Sequence, residues 1–182
     1  MLDELQKKKL EHLFHVLDAN ENGRLEQADF TAVAHRLADQ RGWARDAPER
    51  AALETGYLRL WSAILSDADR NHDGMVSMLE WLQWHELMLS RESVFNHVIM
   101  DMARWLFEAC DADGDGRISG DDYQRLFRAH ALAEDASADC FARLDSNGDG
   151  FLSKAEVFAG IREFYFSTDP RAPGNCLFGA LE

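Results

Sequence analysis

Four aspartates, Asp18, Asp69, Asp111 and Asp145, each open a stretch in which oxygen-bearing side chains alternate and a glycine holds the sixth place. In the first stretch Asp18, Asn20, Asn22, Arg24, Glu26 and Asp29 stand at places 1, 3, 5, 7, 9 and 12. Asp69, Asn71, Asp73, Met75, Ser77 and Glu80 fill those places in the second, and Asp111, Asp113, Asp115, Arg117, Ser119 and Asp122 in the third. The fourth carries Asp145, Asn147, Asp149, Phe151, Ser153 and Glu156. Side chains at odd places of a tight loop point inward, and the carbonyl at place 7 adds a further oxygen. Such a set offers no nucleophile paired with a base. It is a cage of hard oxygen donors, the chemistry of a hard cation: Ca²⁺ takes about six to eight oxygens at roughly 2.3–2.6 Å.

The glycine at place 6, at Gly23, Gly74, Gly116 and Gly150, lets the chain turn sharply between the fifth and seventh ligands through positive φ. Together these features make each stretch an EF-hand loop. One such match arises by chance in acidic turns, whereas four flanked by helical patterns do not. Two places after each glycine comes an apolar residue, and the spacing predicts short β-pairing of Leu25 with Val76 and of Ile118 with Leu152. That pairing would couple the loops two by two.

Place 12 divides the loops. Glu80 and Glu156 have the reach to bind Ca²⁺ through both oxygens, while Asp29 and Asp122 are one methylene shorter. One-oxygen binding lowers the coordination number toward the octahedral geometry that Mg²⁺ prefers, so Mg²⁺ is an expected competitor at 18–29 and 111–122. The third loop offsets its short reach with four ligand carboxylates. The first has only Asp18 and Asp29 as direct carboxylates, with Glu26 placed to act through water, and is the weakest of the four.

Helices must bracket these loops. Leu10, Leu13, Phe14 and Leu17 enter the first; Phe30, Val33, Ala34 and Leu37 leave it. Leu53 to Ala68 enters the second and Leu79 to Leu89 leaves it. Ile99, Met102 and Leu106 precede the third, and Tyr123, Leu126 and Phe127 follow it. Phe141 and Leu144 precede the fourth, and Val157, Phe158, Ile161 and Tyr165 follow. The expected fold is all-α, eight helices in four EF-hands, with one pair in 1–90 and one in 91–182. The first connection is stretched around Asp39 to Glu49, where Gly42 and Pro48 break the pattern. Only Ser90 to Ser93 separates the pairs, which favours halves packed face to face over a dumbbell.

The 182-residue chain is 46% hydrophobic, enough for a sizeable core, and carries a formal charge of −14. That acidity argues against nucleic acid and anionic lipid as partners. It also loosens the cation-free chain and lets metal stabilise it by mass action. Lys7, Lys8 and Lys9 read as a solvated helix face. No stretch has the length of a membrane span, no secretory leader is apparent, and Leu2 stands where myristoylation needs Gly; a cytoplasmic monomer is expected. Cys110, Cys140 and Cys176, odd in number and far apart, suit reduced thiols. Trp43, Trp61, Trp81, Trp84 and Trp105 point to a packed interior and not to an adaptable Met-rich groove.

Read together, the four loops, their uneven spacing, Leu25-Glu26-Gln27-Ala28-Asp29-Phe30 and Ser93-Val94-Phe95-Asn96 resemble the sarcoplasmic calcium-binding protein family, calerythrin-like bacterial members in particular. The tail Asp169 to Gly179 looks like one found in that family and in related luciferin-binding proteins, and reads as a turn-rich end docked by Leu177 and Phe178. The resemblance implies a compact protein that buffers or transports Ca²⁺, an intracellular buffer or signal modulator, and implies that Asp at place 12 of the first loop can serve. Calerythrin-like proteins often have a degenerate second loop; here Asp69 to Glu80 is intact. Four bound ions are expected, three if the first loop fails. Two other roles compete: a sensor gripping a protein target through a Ca²⁺-exposed groove, and a carrier of a small hydrophobic ligand with His85 beside Trp81 and Trp84. His85-Glu86 is no zinc-protease signature, because Leu89 stands where the second His is needed, and no enzymatic activity is expected.

Overall fold

In the computed structural model each first-place aspartate ends a helix, and each place-12 acid lies in the first turn of the next. The structure describes residues 2–111 and 113–181; positions 1, 112 and 182, the two ends and the second place of the third loop, lie outside it. The elements are α1 (Glu4–Leu17), β1 (Arg24–Leu25), α2 (Gln27–Gln40), α3 (Pro48–Ala68), β2 (Val76–Ser77), α4 (Met78–Leu89) and α5 (Glu92–Cys110). They continue with β3 (Arg117–Ser119), α6 (Gly120–Ala129), α7 (Asp135–Leu144), β4 (Phe151–Ser153), α8 (Lys154–Phe166) and a 3₁₀ turn at Pro173–Cys176. None of these helices is long and apolar enough to cross a membrane.

Local chemistry explains the helix ends. Asp3 caps α1: its Oδ1 accepts the Gln6 N–H at 2.7 Å while Gln6 Oε1 accepts the Asp3 N–H at 3.1 Å. The N–H groups of Asp18, Asp69, Asp111 and Asp145 close the last turns of α1, α3, α5 and α7 on Phe14, Leu65, Phe107 and Phe141. On the far side of three loops Ser77, Ser119 and Ser153 are N-caps, and their capping-box partners are Glu80, Asp122 and Glu156. The residue that starts the exit helix is therefore also the one able to close the cage.

The two antiparallel ribbons have the register read from the sequence, Leu25 opposite Val76 and Ile118 opposite Leu152. All four side chains are buried. The long connection after α2 and the short one between α4 and α5 also fall where the turn residues place them. The pairs lie against each other, α2 on α6, α1 on α8, and α3 and α4 on α5. Trp61, Trp81 and Trp84 are buried, and Trp43 and Trp105 half-buried. Trp105 packs so closely on α3 that a Cβ at Gly56 would fall 1.9 Å from its ring.

Two expectations are corrected here. Lys9 is not solvated but fully buried, its Nζ donating to Glu163 O (3.2 Å), Ser167 O (2.8 Å) and Asn175 Oδ1 (3.2 Å). The partners are carbonyls at the end of α8 and an amide of the tail, which a cation complements. Burial brings the Lys9 ammonium down to about 8, although Asp3 and Glu163 oppose it. Nor are all three cysteines free: Cys140 and Cys176 form a disulfide because the tail folds back onto α7, and the described free thiol is the buried Cys110.

Candidate metal centres

All four loops use the same turn scaffold. The first-place aspartate accepts the N–H of the sixth-place glycine: Gly23 to Asp18 at 2.8 Å, Gly74 to Asp69 at 3.0 Å, Gly116 to Asp111 at 2.9 Å and Gly150 to Asp145 at 2.9 Å. Gly116, at φ 84°, holds a backbone conformation that a side chain resists. The third-place side chains Asn20, Asn71, Asp113 and Asn147 each accept the N–H two places on. At the fifth place Asn22, Asp73, Asp115 and Asp149 do the same with Arg24, Met75, Arg117 and Phe151, the residues whose carbonyls stand at place 7. Places 1, 3 and 5 are thus oriented by the backbone before any ion arrives. Ligand oxygens of Asp111, Asp113 and Asp115 lie within 4.8 Å of one another.

Place 12 separates the loops in the way its side-chain lengths dictate. Glu80 Oε1 crosses its loop to accept the Arg70 and Asn71 N–H groups at 3.2 and 3.3 Å, while Oε2 accepts from Ser77 N and Oγ at 3.0 and 2.7 Å. Glu156 repeats this, Oε1 with Ser146 N (3.0 Å) and Asn147 N (3.2 Å), Oε2 with Ser153 N (2.9 Å) and Oγ (2.8 Å). Burial raises the Glu156 carboxyl, but these bonds outweigh it and hold the group at about 2. Ser77 lowers Glu80 in the same sense.

The aspartates do not cross. Asp122 Oδ2 stays with Ser119 N and Oγ at 3.1 and 2.6 Å, and its Oδ1 is taken by Arg125 at 2.7 Å. Asp29 Oδ2 accepts the Glu26 N–H at 2.9 Å. Its Oδ1 is buried with no hydrogen-bond partner, and burial pushes the carboxyl upward. A buried carboxylate oxygen that no protein donor satisfies fits a cation ligand. Sequence reasoning left Glu26 at the water-mediated place; the structure folds its Oε1 over the loop, where the Asn20 and Asn22 amides donate to it at 3.0 and 3.1 Å. It missed Arg125 altogether, though position i+3 from Asp122 on a helix is a readable signal. Ion pairs also engage two fifth places: Arg24 with Asp73 across the ribbon and Arg117 with Asp115, both at 3.2 Å.

Among the described residues, the buried carboxylates are Asp18, Asp29, Glu80, Asp122 and Glu156, every one at place 1 or 12 of a loop. Such burial is costly unless the charge is paired, and carboxylates converging in pocketed loops are a divalent-cation donor set.

Comparison with known proteins agrees. The family model described as EF hand matches residues 63–83, 103–127 and 138–157, which hold the second, third and fourth loops. Calerythrin of Saccharopolyspora erythraea is 28% identical over 160 residues, 87% of this chain and 90% of that protein. A Streptomyces coelicolor calcium-binding protein, described in connection with prokaryotic calcium-mediated regulation, superposes with TM-score 0.72 at 26% identity, covering 88% of this chain and 98% of its own. The amphioxus sarcoplasmic calcium-binding protein shares the fold, with TM-score 0.77 at 21% identity over 99% of both chains. The chain is a calerythrin-like and sarcoplasmic-calcium-binding-protein-like EF-hand protein.

Proposed function

We propose that this protein is a cytoplasmic, monomeric Ca²⁺ buffer with one pair of sites in 1–90 and one in 91–182. The side chains at places 1, 3, 5 and 12 and the carbonyls of Arg24, Met75, Arg117 and Phe151 are the ligands. The observation that carries the reading is the confinement of buried carboxylates to ligand places. Glu80 and Glu156 make the stronger pair of sites. The loops closed by Asp29 and Asp122 are weaker for Ca²⁺ and more tolerant of Mg²⁺, since neither aspartate crosses its loop.

Buffering is favoured over sensing because the surface a sensor would open is already filled. Leu177 and Phe178 of the tail close over Leu126, Val157 and Ile161, leaving a cavity of about 50 Å³. Ligand pockets run to roughly 300–1,000 Å³, so this volume also speaks against a carrier of a hydrophobic molecule. A larger crevice of about 720 Å³, between α1 and the α6–α7 connection, has a mixed lining in which Lys8, Glu11 and Arg36 stand beside apolar Val16, Phe127 and Leu132. Around His85 the space is filled by Trp81, Trp84 and Tyr165 rings.

The test is the fluorescence of the dye ANS on Ca²⁺ addition. A buffer loses signal as a loosened cation-free state closes; a gain would mark the opening of a groove for a protein target.

A further inference from the structure

The Cys140–Cys176 disulfide ties together the frame of one loop. Cys140 lies on α7, a little over one turn ahead of Asp145 at place 1 of the fourth loop. Cys176 ends the 3₁₀ turn, which packs on both α7 and α8, the helix that carries Glu156 at place 12. The fit against α8 is tight: a Cβ on Gly174 would fall 2.2 Å from Gly160 O and 2.6 Å from Glu163 Cβ. The Gly174 N–H donates to Glu163 Oε2 at 2.8 Å, and Arg143 of α7 donates to Ala172 O at 3.2 Å. On the opposite side Tyr123 Oη donates to Leu177 O at 3.0 Å. The covalent bond therefore links, through the tail, the two helices that deliver the first and last ligands of the fourth loop. The other three loops have no such crosslink among the described residues, where Cys110 is the remaining thiol.

We propose that Cys140–Cys176 is a thiol–disulfide exchange site whose redox state sets the Ca²⁺ affinity of the fourth loop. This rests on the assignment of that loop as a Ca²⁺ site. In the cytoplasm a disulfide is usually transient or redox-sensing, and a low-potential dithiol is the class of reagent that would open this one. A thiolate of the dithiol attacks one cystine sulfur, the S–S bond breaks, and a mixed disulfide forms. The second thiol then displaces the protein sulfur. Two electrons and two protons end on Cys140 and Cys176, and the reductant leaves as its own disulfide. Both cysteines are buried, 1% and 5% exposed, so the attack requires the tail to lift from α8. Ca²⁺ draws Asp145 and Glu156 together and holds α7 and α8 in the arrangement on which the tail docks. The coupling is reciprocal: if oxidation tightens the site, Ca²⁺ protects the disulfide by the same factor.

The fourth and second loops can be followed separately in the full-length ¹⁵N-labelled protein through the Gly150 and Gly74 amides. Each donates to the first-place aspartate of its own loop, at 2.9 and 3.0 Å. Ca²⁺ titrations are run on the oxidised and the dithiothreitol-reduced chain, with thiols counted by mass after alkylation. The Gly150 midpoint is expected to rise about fivefold or more on reduction and to return on reoxidation, with Gly74 unmoved. Equal Gly150 midpoints overturn the proposal, as does an equal rise at Gly74, which would mean general loosening. The double variant C140S/C176S should match the reduced chain, and one that keeps the oxidised affinity overturns the proposal; the reduced wild type decides the matter without a substitution. A Gly150 amide that ignores Ca²⁺ even in the oxidised chain overturns the assignment of the fourth loop itself.

Discussion

Glu156 Oε1 accepts the Asn147 N–H at 3.2 Å, the last ligand place of the fourth loop reaching the third. Asp29, with one methylene fewer, accepts the Glu26 N–H through Oδ2 in the first loop and leaves Oδ1 without a partner. Exchanging the lengths should exchange the behaviour. E156D is expected to weaken Ca²⁺ at the fourth loop by about tenfold, ~1.4 kcal/mol, and D29E to tighten the first by a similar factor. Calorimetric titration of both variants checks this.

Asp29 also has a cost in the cation-free protein. Its carboxyl is raised by burial, so its ionisation is harder folded than unfolded. A raised acid contributes stability that is present below its unfolded value and lost as pH rises through the folded one. D29N should therefore stabilise the cation-free chain at neutral pH by about 1–2 kcal/mol, flatten the loss of stability above the usual carboxylate range, and weaken Ca²⁺ at the first loop. Urea unfolding in EGTA across pH gives the answer, and destabilisation by D29N at neutral pH would falsify the account of Oδ1.

Arg125 holds Asp122 Oδ1 at 2.7 Å, on the oxygen a second metal bond would need. R125A should raise Ca²⁺ affinity at the third loop by about threefold at low salt, an effect that shrinks as salt screens the pair. An unchanged affinity at low salt would mean that the guanidinium yields without cost.

Lys9 joins α1 to the end of α8 and to the tail. K9M keeps the apolar stem but leaves three acceptors unpaired, and should cost about 2–4 kcal/mol in chemical denaturation. Because the Lys9 ammonium is brought down to about 8, the folded state releases its proton before the unfolded state does. Its contribution thus improves as pH rises from about 8 toward the ordinary lysine value, and K9M should lack that slope.

The loop turns, their helices and the ribbon register were legible because each is written locally: the turns by the spacing of aspartate and glycine, Leu25 and Val76 by distance from a glycine, boundaries by Gly42, Pro48 and the short Ser90–Ser93 joint. Lys9 and the disulfide were not, because their partners lie at the opposite end of the chain. Nothing around Lys7-Lys8-Lys9 announces the carbonyls of Glu163 and Ser167, and nothing near Cys140 announces a tail folding back from Pro173. At place 12 the sequence showed which side chains are short. That Asp122 would be held by Arg125, and that Asp29 would keep a buried oxygen without a partner, depended on packing.

The most direct test of the central claim, four unequal Ca²⁺ sites sorted by place 12, is one calorimetric Ca²⁺ titration with and without millimolar Mg²⁺. Four bound ions are expected, with Mg²⁺ displacing the heats of two sites, at 18–29 and 111–122, and sparing the other two. Fewer than three ions, or four sites that respond alike to Mg²⁺, would contradict it.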